Sequence, residues 1–349
     1  MDKILTIIIP TYNMEHYLRK CVESLILDDV EMFKLLDIIV VNDGSKDASS
    51  SIAHEYEKKF PDIIRVIDKI NENYGSCINC GLKYGRGKYV KVLDSDDYFD
   101  SKSLEYFINK ISHLDVDLIL SNYNYIDSEG TITGQVSYPL EENRIFTFGD
   151  LYYDNSLLPI EMHAVTYKRK LLADVNYKQT EGISYTDQEW IFVPMLSVKN
   201  FAFVDVCLYQ YLIGREGQTV DLGIYHKKVA DRIIGAVNMI KAIQNLKSNP
   251  EEIYNRYAHD KLFLRVKAIY YSCLYVNRND ELLKGFDLFL KTNMLSIYEE
   301  LYSVKLHPII GCRYIKRWRM NLSAIPIYIR LIMMVLCKVK QYLLLCRRS

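Results

Sequence analysis

The N-terminus, MDKILTIIIPTYN, lacks the basic start, long apolar stretch and small-residue cleavage site of a secretory signal. Cys77-Ile-Asn-Cys80 has no second C-x-x-C pair beside it, so the eight cysteines read as free thiols of a reducing cytosol, and this pair as two packed thiols. No repeat or low-complexity segment interrupts the chain. Net charge is absent too, 44 basic against 44 acidic side chains, which argues against a wholesale nucleic-acid binder. Acids are missing altogether from residues 303–349, where Lys305, Arg313, Lys316, Arg317, Arg319, Arg330, Lys338, Lys340, Arg347 and Arg348 stand. The neutral total therefore hides a first 302 residues with an excess of ten acids. What is present is ordinary for a folded protein: 349 residues, 49% apolar and 25% charged, enough for roughly two domains. The 29 tyrosines suggest broad half-polar surfaces and name no reaction.

Strand and helix signals alternate over the first hundred residues. Residues 4–9 form a β-branched run stopped by Pro10, followed by helical spacing of Leu18, Val22, Leu25 and Ile26 over 15–27. A strand is expected at 37–41, a turn at Asn42-Asp43-Gly44-Ser45, and then a helix capped by Ser45 or Asp47. Strands at 63–68 and 89–93 enclose a helix at 75–84. Such buried runs separated by helices predict an α/β fold with a mainly parallel sheet covered on both faces. Sheets of this kind bind ligands at the carboxyl ends of their strands, where Pro10-Thr11-Tyr12-Asn13, Asn42-Asp43-Gly44 and Asp94-Ser95-Asp96-Asp97 all fall. Residues 103–215 read as mixed, with a helix at 103–112 and a strand at 118–125. Residues 225–302 read as helical, with a break at Pro250.

The last stretch differs in kind. From Pro326, a helix would turn Ile332, Val335, Leu336, Val339, Tyr342, Leu343 and Cys346 to one side and Arg330, Lys338, Lys340, Gln341 and Arg348 to the other. Its uncharged run, residues 320–329, is ten residues long against about 20 needed to span a bilayer. The pattern suits a helix lying in the headgroup region of the inner membrane surface, or one packed on its own protein.

Three carboxylate segments carry candidate chemistry. Asp94-Ser95-Asp96 follows the strand YVKVL, and two acids one residue apart can share a hard cation with the oxygens of a diphosphate. The same residues also read as an acidic turn capping a helix near Ser101. Asp43 stands in a good turn sequence. Asp187, in Ser184-Tyr185-Thr186-Asp187-Gln188-Glu189-Trp190, is placed either for chemistry or, like Thr186, for capping a helix that runs into Trp190.

In order and spacing, Ile8-Ile9-Pro10-Thr11-Tyr12-Asn13, Val40-Val41-Asn42-Asp43-Gly44-Ser45 and Gly87-Lys88-Tyr89 leading into Leu93-Asp94-Ser95-Asp96-Asp97 resemble the family 2 glycosyltransferases with the GT-A fold, of the type making bacterial surface polysaccharides. The resemblance is specific over 4–100, looser to about 220 and absent beyond. It implies a catalytic domain over 1–220 (nucleotide-binding half 1–100, acceptor half 101–220), a helical region over 221–320 and a basic amphipathic tail over 321–349. It implies that Pro10, Thr11, Tyr12 and Asp43 hold the nucleotide base, and that Asp94 and Ser95 lie near the ribose. Asp96 would coordinate Mg²⁺ or Mn²⁺, and Asn73 and Gly75 would contact the donor. Asp187 matches the general base of inverting transfer, although Thr186 stands where many relatives have Glu. Trp190 would offer its face to a sugar ring, and His163 would reach the acceptor. In YQYLIGREGQT, Arg215 would contact the diphosphate. Ile78 replaces an arginine common in relatives, so diphosphate contacts assigned to that arginine do not carry over.

The resemblance thus implies an enzyme of the hexosyl-transferring class. It would move one sugar from a nucleotide sugar, UDP-linked by expectation, to a lipid-linked saccharide on the cytoplasmic face of the cell membrane. Nucleic acid is not an expected partner, and self-association as a homo-oligomer is left open. Two rivals stand beside this reading. A nucleotidyltransferase of related fold would carry a glycine-rich basic loop after the first strand, and PTYNMEHYLRK lacks the glycines. A membrane-bound assembly partner without activity would have no need to retain Asp94, Asp96 and Asp187 together.

Overall fold

The β-branched runs become the centre of a ten-stranded mixed sheet. The computed structural model describes residues 2–153, 160–214, 222–245, 252–276, 279–306, 311–321, 326 and 328–329. In chain order the first half comprises β1 (Leu5–Thr11), α1 (Leu18–Glu23), α2 (Val30–Lys34), β2 (Leu36–Asn42), α3 (Ser49–Lys59), β3 (Ile64–Asp68), α4 (Tyr74–Tyr84) and β4 (Tyr89–Val92). These four strands lie in the order β3-β2-β1-β4, all parallel, with Leu5 opposite both Leu36 and Tyr89. Every residue of β1 and β2 is buried, as expected of parallel strands covered on both faces. Each large aliphatic side chain so placed contributes about 2 kcal/mol.

The second half adds β5 (Tyr98–Phe99), α5 (Ser101–Ser112), β6 (Leu118–Ile126), β7 (Ile132–Val136), β8 (Ile145–Thr147), α6 (Phe148–Tyr153), β9 (Val165–Lys168), α7 (Arg169–Asp174), α8 (Asp187–Phe192) and β10 (Asn200–Leu212). Strand β9 runs antiparallel between β4 and β6, while β10 is parallel to β6 and carries β5 at the far edge. The short antiparallel strands β7 and β8 pair with β6 and β10.

Two expected boundaries shift for one physical reason. The helix expected over 15–27 is confined to α1, and α3 starts at Ser49 after Ala48, with no side-chain cap. Asp47 Oδ1 accepts from Ser49 N (3.0 Å), the first amide of α3, while its second oxygen and the Ser45 hydroxyl bond between loops. Asn13 N donates to Ser45 Oγ (3.0 Å), Met14 N to Ser49 Oγ (2.7 Å) and Glu15 N to Asp47 Oδ2 (3.0 Å). In return Lys46 N donates to Asn13 Oδ1 (2.8 Å) and Ala48 N to Glu15 Oε2 (2.8 Å). The loops leaving β1 and β2 are thereby zipped together.

The chain divides into two compact units: residues 1–219 with 245–258, and residues 220–244 with 259–349. Helices α9 (Leu222–Lys227), α10 (Val229–Asn245), α11 (Glu252–Tyr271), α12 (Asp280–Asn293), α13 (Leu295–Glu300) and α14 (Tyr314–Arg319) complete the described elements. Pro250 lies outside the described residues. Within the second unit, Arg319 donates to Asp287 Oδ1 from Nε (2.8 Å) and Nη2 (2.7 Å) and lies 3.6 Å from the Tyr298 ring centroid. This arginine of the basic stretch is therefore an internal latch rather than a free surface cation. Among the described residues no helix is long and apolar enough to cross a membrane. Apart from Asn321, Pro326, Tyr328 and Ile329, the expected amphipathic tail lies outside them.

Candidate functional site

Strand order reverses between β1 and β4, so the crevice beyond their carboxyl ends is the topological switch point of the sheet. The loops after β1, β2 and β3 each contain a residue in the left-handed region, Asn13 (φ 55°), Gly44 (72°) and Asn73 (69°), as does the segment before α8 at Tyr185 (62°). For the tyrosine this conformation is uncommon and costs about 1 kcal/mol or more. Tyr12 leaves β1 with 43% of its surface exposed, whereas Pro10 and Thr11 are buried and the Thr11 hydroxyl turns back to Ile9 O (3.3 Å). The expected base contacts of Pro10 and Thr11 are thus not available to their side chains.

At the end of β2, Asp43 is 2% exposed. Its Oδ1 accepts from Lys69 Nζ (2.7 Å) and from Glu72 N (3.0 Å). Lys69 also donates to Ser76 Oγ (2.9 Å) and pairs with Glu72 (3.2 Å). Burial works against its charge, but the bonds to Asp43 and Glu72 outweigh burial and hold Lys69 above its ordinary value. The loop that carries Asn73 is thereby tied to Asp43. Asn73 itself is exposed and precedes α4, its carbonyl accepting from Ser76 N (3.1 Å) and Ser76 Oγ (2.6 Å). Cys77, one turn into α4, is buried, and burial followed by the Asp43 charge pushes its thiol up to about 12; neither it nor Cys80 is in a disulfide.

After β4 the chain makes a tight turn, Asp97 N donating to Asp94 O (3.0 Å). Along the turn Asp94 and Asp96 are half-buried, whereas Ser95 (3%) and Asp97 (1%) are buried. Ser95, expected beside the ribose, therefore turns its side chain into the protein, because neighbouring positions of so short a turn cannot all face outward. Asp97 Oδ2 accepts from the Tyr209 hydroxyl (2.6 Å) and Oδ1 from Leu212 N (2.8 Å). Burial, then the charges of Asp96 and Asp94, raise Asp97 well above the usual carboxylate range despite those bonds. Asp94 N donates to Tyr209 Oη (3.1 Å), and Asp94 Oδ1 accepts from the Tyr74 hydroxyl (2.8 Å).

His163 forms part of an aromatic cluster beneath this turn. Its ring stacks on Tyr211 (centroids 4.1 Å) and meets Tyr209 (4.7 Å) and Tyr123 (5.1 Å). Burial, with a smaller contribution from Lys91, lowers it to about 3, and Nδ1 has no hydrogen-bond partner among the described residues. Lys91 is fully buried in β4 and donates to His163 O (2.8 Å) and Val165 O (3.2 Å), with burial bringing it down to about 7.

Asp187 is the first residue of α8 and is half-buried, its Oδ2 accepting from Gln188 Nε2 (2.9 Å). Thr186 occupies the cap position without a capping bond, its Oγ1 accepting instead from Gln179 Nε2 (2.8 Å). The segment leading to α8 is clasped to α4. Asn79 Nδ2 donates to Gln179 O (2.8 Å) while Gln179 N donates to Asn79 Oδ1 (2.9 Å), and Gly182 N donates to Glu72 O (2.9 Å). The approach is so close that a Cβ on Gly75 would lie 2.0 Å from Thr180 O. Gly75 thus serves helix–loop packing, at a position where no side chain would fit. Buried Glu189 secures the same segment, accepting from Thr180 N and Oγ1 (both 2.8 Å).

Two hydroxyls lie in the field of both acidic segments. Loss of water and then Asp94 push Tyr74 well above its ordinary range, with Asp187 contributing. Tyr211 is raised by burial and then by Asp97, Asp94, Asp96 and Asp187. Tyr74 and Tyr211 are thus near enough to feel both Asp187 and the acid turn, which lie 90 residues apart in the chain.

Trp190 is a correction. It is 1% exposed and packs edge-on against Tyr167 (5.2 Å) and Tyr177 (5.7 Å), so the ring expected to face a sugar is a core ring. Arg215 lies outside the described residues. Tyr74, Lys91, Asp97, Glu189 and Tyr209 are the residues that reading the sequence missed. Lys91 left a signal, as a cation inside the buried run YVKV, and Asp97 and Glu189 stood within the quoted acidic segments without a role of their own.

No cluster of three or more His, Cys, Asp or Glu side chains is placed to hold a metal among the described residues. Asp94 and Asp96 nevertheless fit Mg²⁺ or Mn²⁺ chemically, since such ions take one or two carboxylates and complete their shell with water and phosphate oxygens.

The parallel half-sheet, the antiparallel β9 and the acid turn at the switch point define a GT-A fold. Residues 6–175 match the model of glycosyl transferase family 2, so the chain carries a family 2 glycosyltransferase domain. It is 32% identical over 185 residues to the glycosyltransferase GlyA of Streptococcus pneumoniae, covering 51% of this chain and 26% of that protein. It is 25% identical over 263 residues to GlyG of the same organism, covering 68% of this chain and 84% of the relative. The chain therefore spans about a quarter of the first relative and most of the second. A crystal structure of S. aureus TarS 1–349 with UDP-GlcNAc superposes with a TM-score of 0.63 at 19% identity, covering 91% of this chain and 92% of that one.

Proposed function

We propose that the protein is an inverting glycosyltransferase that moves one sugar from a UDP-sugar to a hydroxyl of a lipid-linked saccharide in surface polysaccharide synthesis. The observation that supports this reading is the acid turn at the switch point of the sheet, tied through Asp94 Oδ1 to the Tyr74 hydroxyl (2.8 Å), which also feels Asp187. The ring of Tyr12 and the carboxylate of Asp43 receive the base, Asp94 the ribose, and Asn73 and Arg215 the diphosphate end of the donor. Asp96 holds the divalent cation, which when bound supplies positive charge to the departing diphosphate. Asp187 takes the proton of the acceptor hydroxyl as its oxygen bonds to the anomeric carbon, while the bond from that carbon to the diphosphate oxygen breaks. Attack from the face opposite the leaving group inverts the anomeric centre.

The UDP preference is supported by the TarS structure, which holds UDP-GlcNAc. The basic stretch suits an acceptor at the inner membrane surface, the tail lying among anionic headgroups. The test is a panel of nucleotide sugars with Mg²⁺ or Mn²⁺, read by mass change in the donor. One donor converted to its nucleoside diphosphate is expected; conversion of none would overturn the proposal.

A further inference from the structure

The acid turn is built from two kinds of carboxylate. Asp94 and Asp96 are half-exposed, while Asp97 has both oxygens engaged inside the protein. A single hydroxyl, that of Tyr209, accepts from the amide that opens the turn and donates to the carboxylate that closes it. The second oxygen of Asp97 is held by Leu212 N, so the turn is fastened at two points to the end of β10, the 13-residue strand beside β6. Tyr209 is itself immobilised, fully buried with its ring against Phe99 (5.6 Å) and His163 (4.7 Å).

The chemistry of this fastening is specific. Asp94 and Asp96 repel each other and would splay a turn held only by its own backbone bond. An arginine or lysine could hold them, but it would also cancel the charge that attracts a cation. Both partners of Asp97 are uncharged, so they fix the turn while leaving its negative charge in place. Placement errors near 1 Å in such groups cost about 100-fold in rate.

We propose that Asp97 and Tyr209 are a positioning pair for the donor side of the site, setting the acid turn where Asp94 and Asp96 meet a cation-bound diphosphate without touching it themselves. The inference rests on the donor-side reading of Asp94 and Asp96 proposed above.

It is tested by titrating UDP calorimetrically into the wild type, Tyr209→Phe, Asp97→Asn and the double variant, each with and without Mn²⁺, beside a thermal melt. In the wild type Mn²⁺ tightens UDP binding. Each single variant loses about tenfold of that tightening, the scale of one hydrogen bond to a charged group, and binds UDP alone as before. The double variant loses no more than either single one, because the pair acts as a unit. Variants that keep the full tightening, or that lose affinity equally with and without Mn²⁺, overturn the inference. A wild type that shows no Mn²⁺ effect overturns the donor-side reading on which it rests, a failure visible before any variant is made. Should Tyr209→Phe not fold, Asp97→Asn carries the comparison.

Discussion

The Tyr74 hydroxyl donates to Asp94 Oδ1 at 2.8 Å, which joins the first turn of α4 to the acid turn after β4. The charge of Asp187 adds to that of Asp94 in raising this hydroxyl above its ordinary range. Tyr74→Phe removes the bond and keeps the ring. Release of nucleoside diphosphate should fall about tenfold with little change in melting temperature. An unchanged rate would remove Tyr74 from the site.

Gly75→Ala places a Cβ 2.0 Å from Thr180 O, where backbone rather than a flexible side chain must yield. Urea unfolding should show a loss of about 1–3 kcal/mol, and the segment up to Asp187 should become more susceptible to protease. Undiminished stability would mean that the clasp between Asn79 and Gln179 is looser than described.

Lys91 makes the stability of the protein depend on pH in a defined direction. Burial lowers its folded value to about 7 from an ordinary 10.5. Between those values the unfolded chain binds more protons than the folded one, so this group adds stability as pH rises through the window. Below about 7 both states carry the charge and the whole cost of burying it remains, up to roughly 5 kcal/mol. Lys91→Met should therefore gain most over the wild type at pH 6, and the difference in melting temperature should shrink toward pH 10. A difference constant with pH would contradict this.

Removing residues 321–349 should release the protein from anionic vesicles in a sedimentation assay, with a smaller effect at high salt than at low. Equal sedimentation of both forms would reject the tail as an anchor.

Much of the nucleotide-side architecture was legible because it rests on local signals. The runs in β1, β2 and β4 are β-branched and buried on both faces, so their type, order and loop positions follow from the alternation with helices. Side-chain direction within the turns was not legible, since it depends on distant partners. Ser95 points inward because Asp97 is anchored to Tyr209 and Leu212, more than 100 residues away. Ser45 looked like a helix cap and bonds instead to the loop after β1, while Asp47 does both, accepting from Ser49 N at the start of α3 and from Glu15 N. Trp190 was set beside a sugar by the resemblance alone, and its burial depends on Tyr167 and Tyr177, partners that sequence spacing does not show. The antiparallel strands β5, β7 and β8 are two to five residues long and carry too little pattern to be read.

The central claim is that Asp187 acts on the acceptor across from a donor held by the acid turn. Its most direct test compares Asp187→Asn with the wild type for both sugar transfer and UDP binding in the presence of Mn²⁺. The predicted result is transfer reduced at least about 100-fold with UDP affinity unchanged. Transfer near the wild-type rate, or loss of UDP binding in step with transfer, would contradict it.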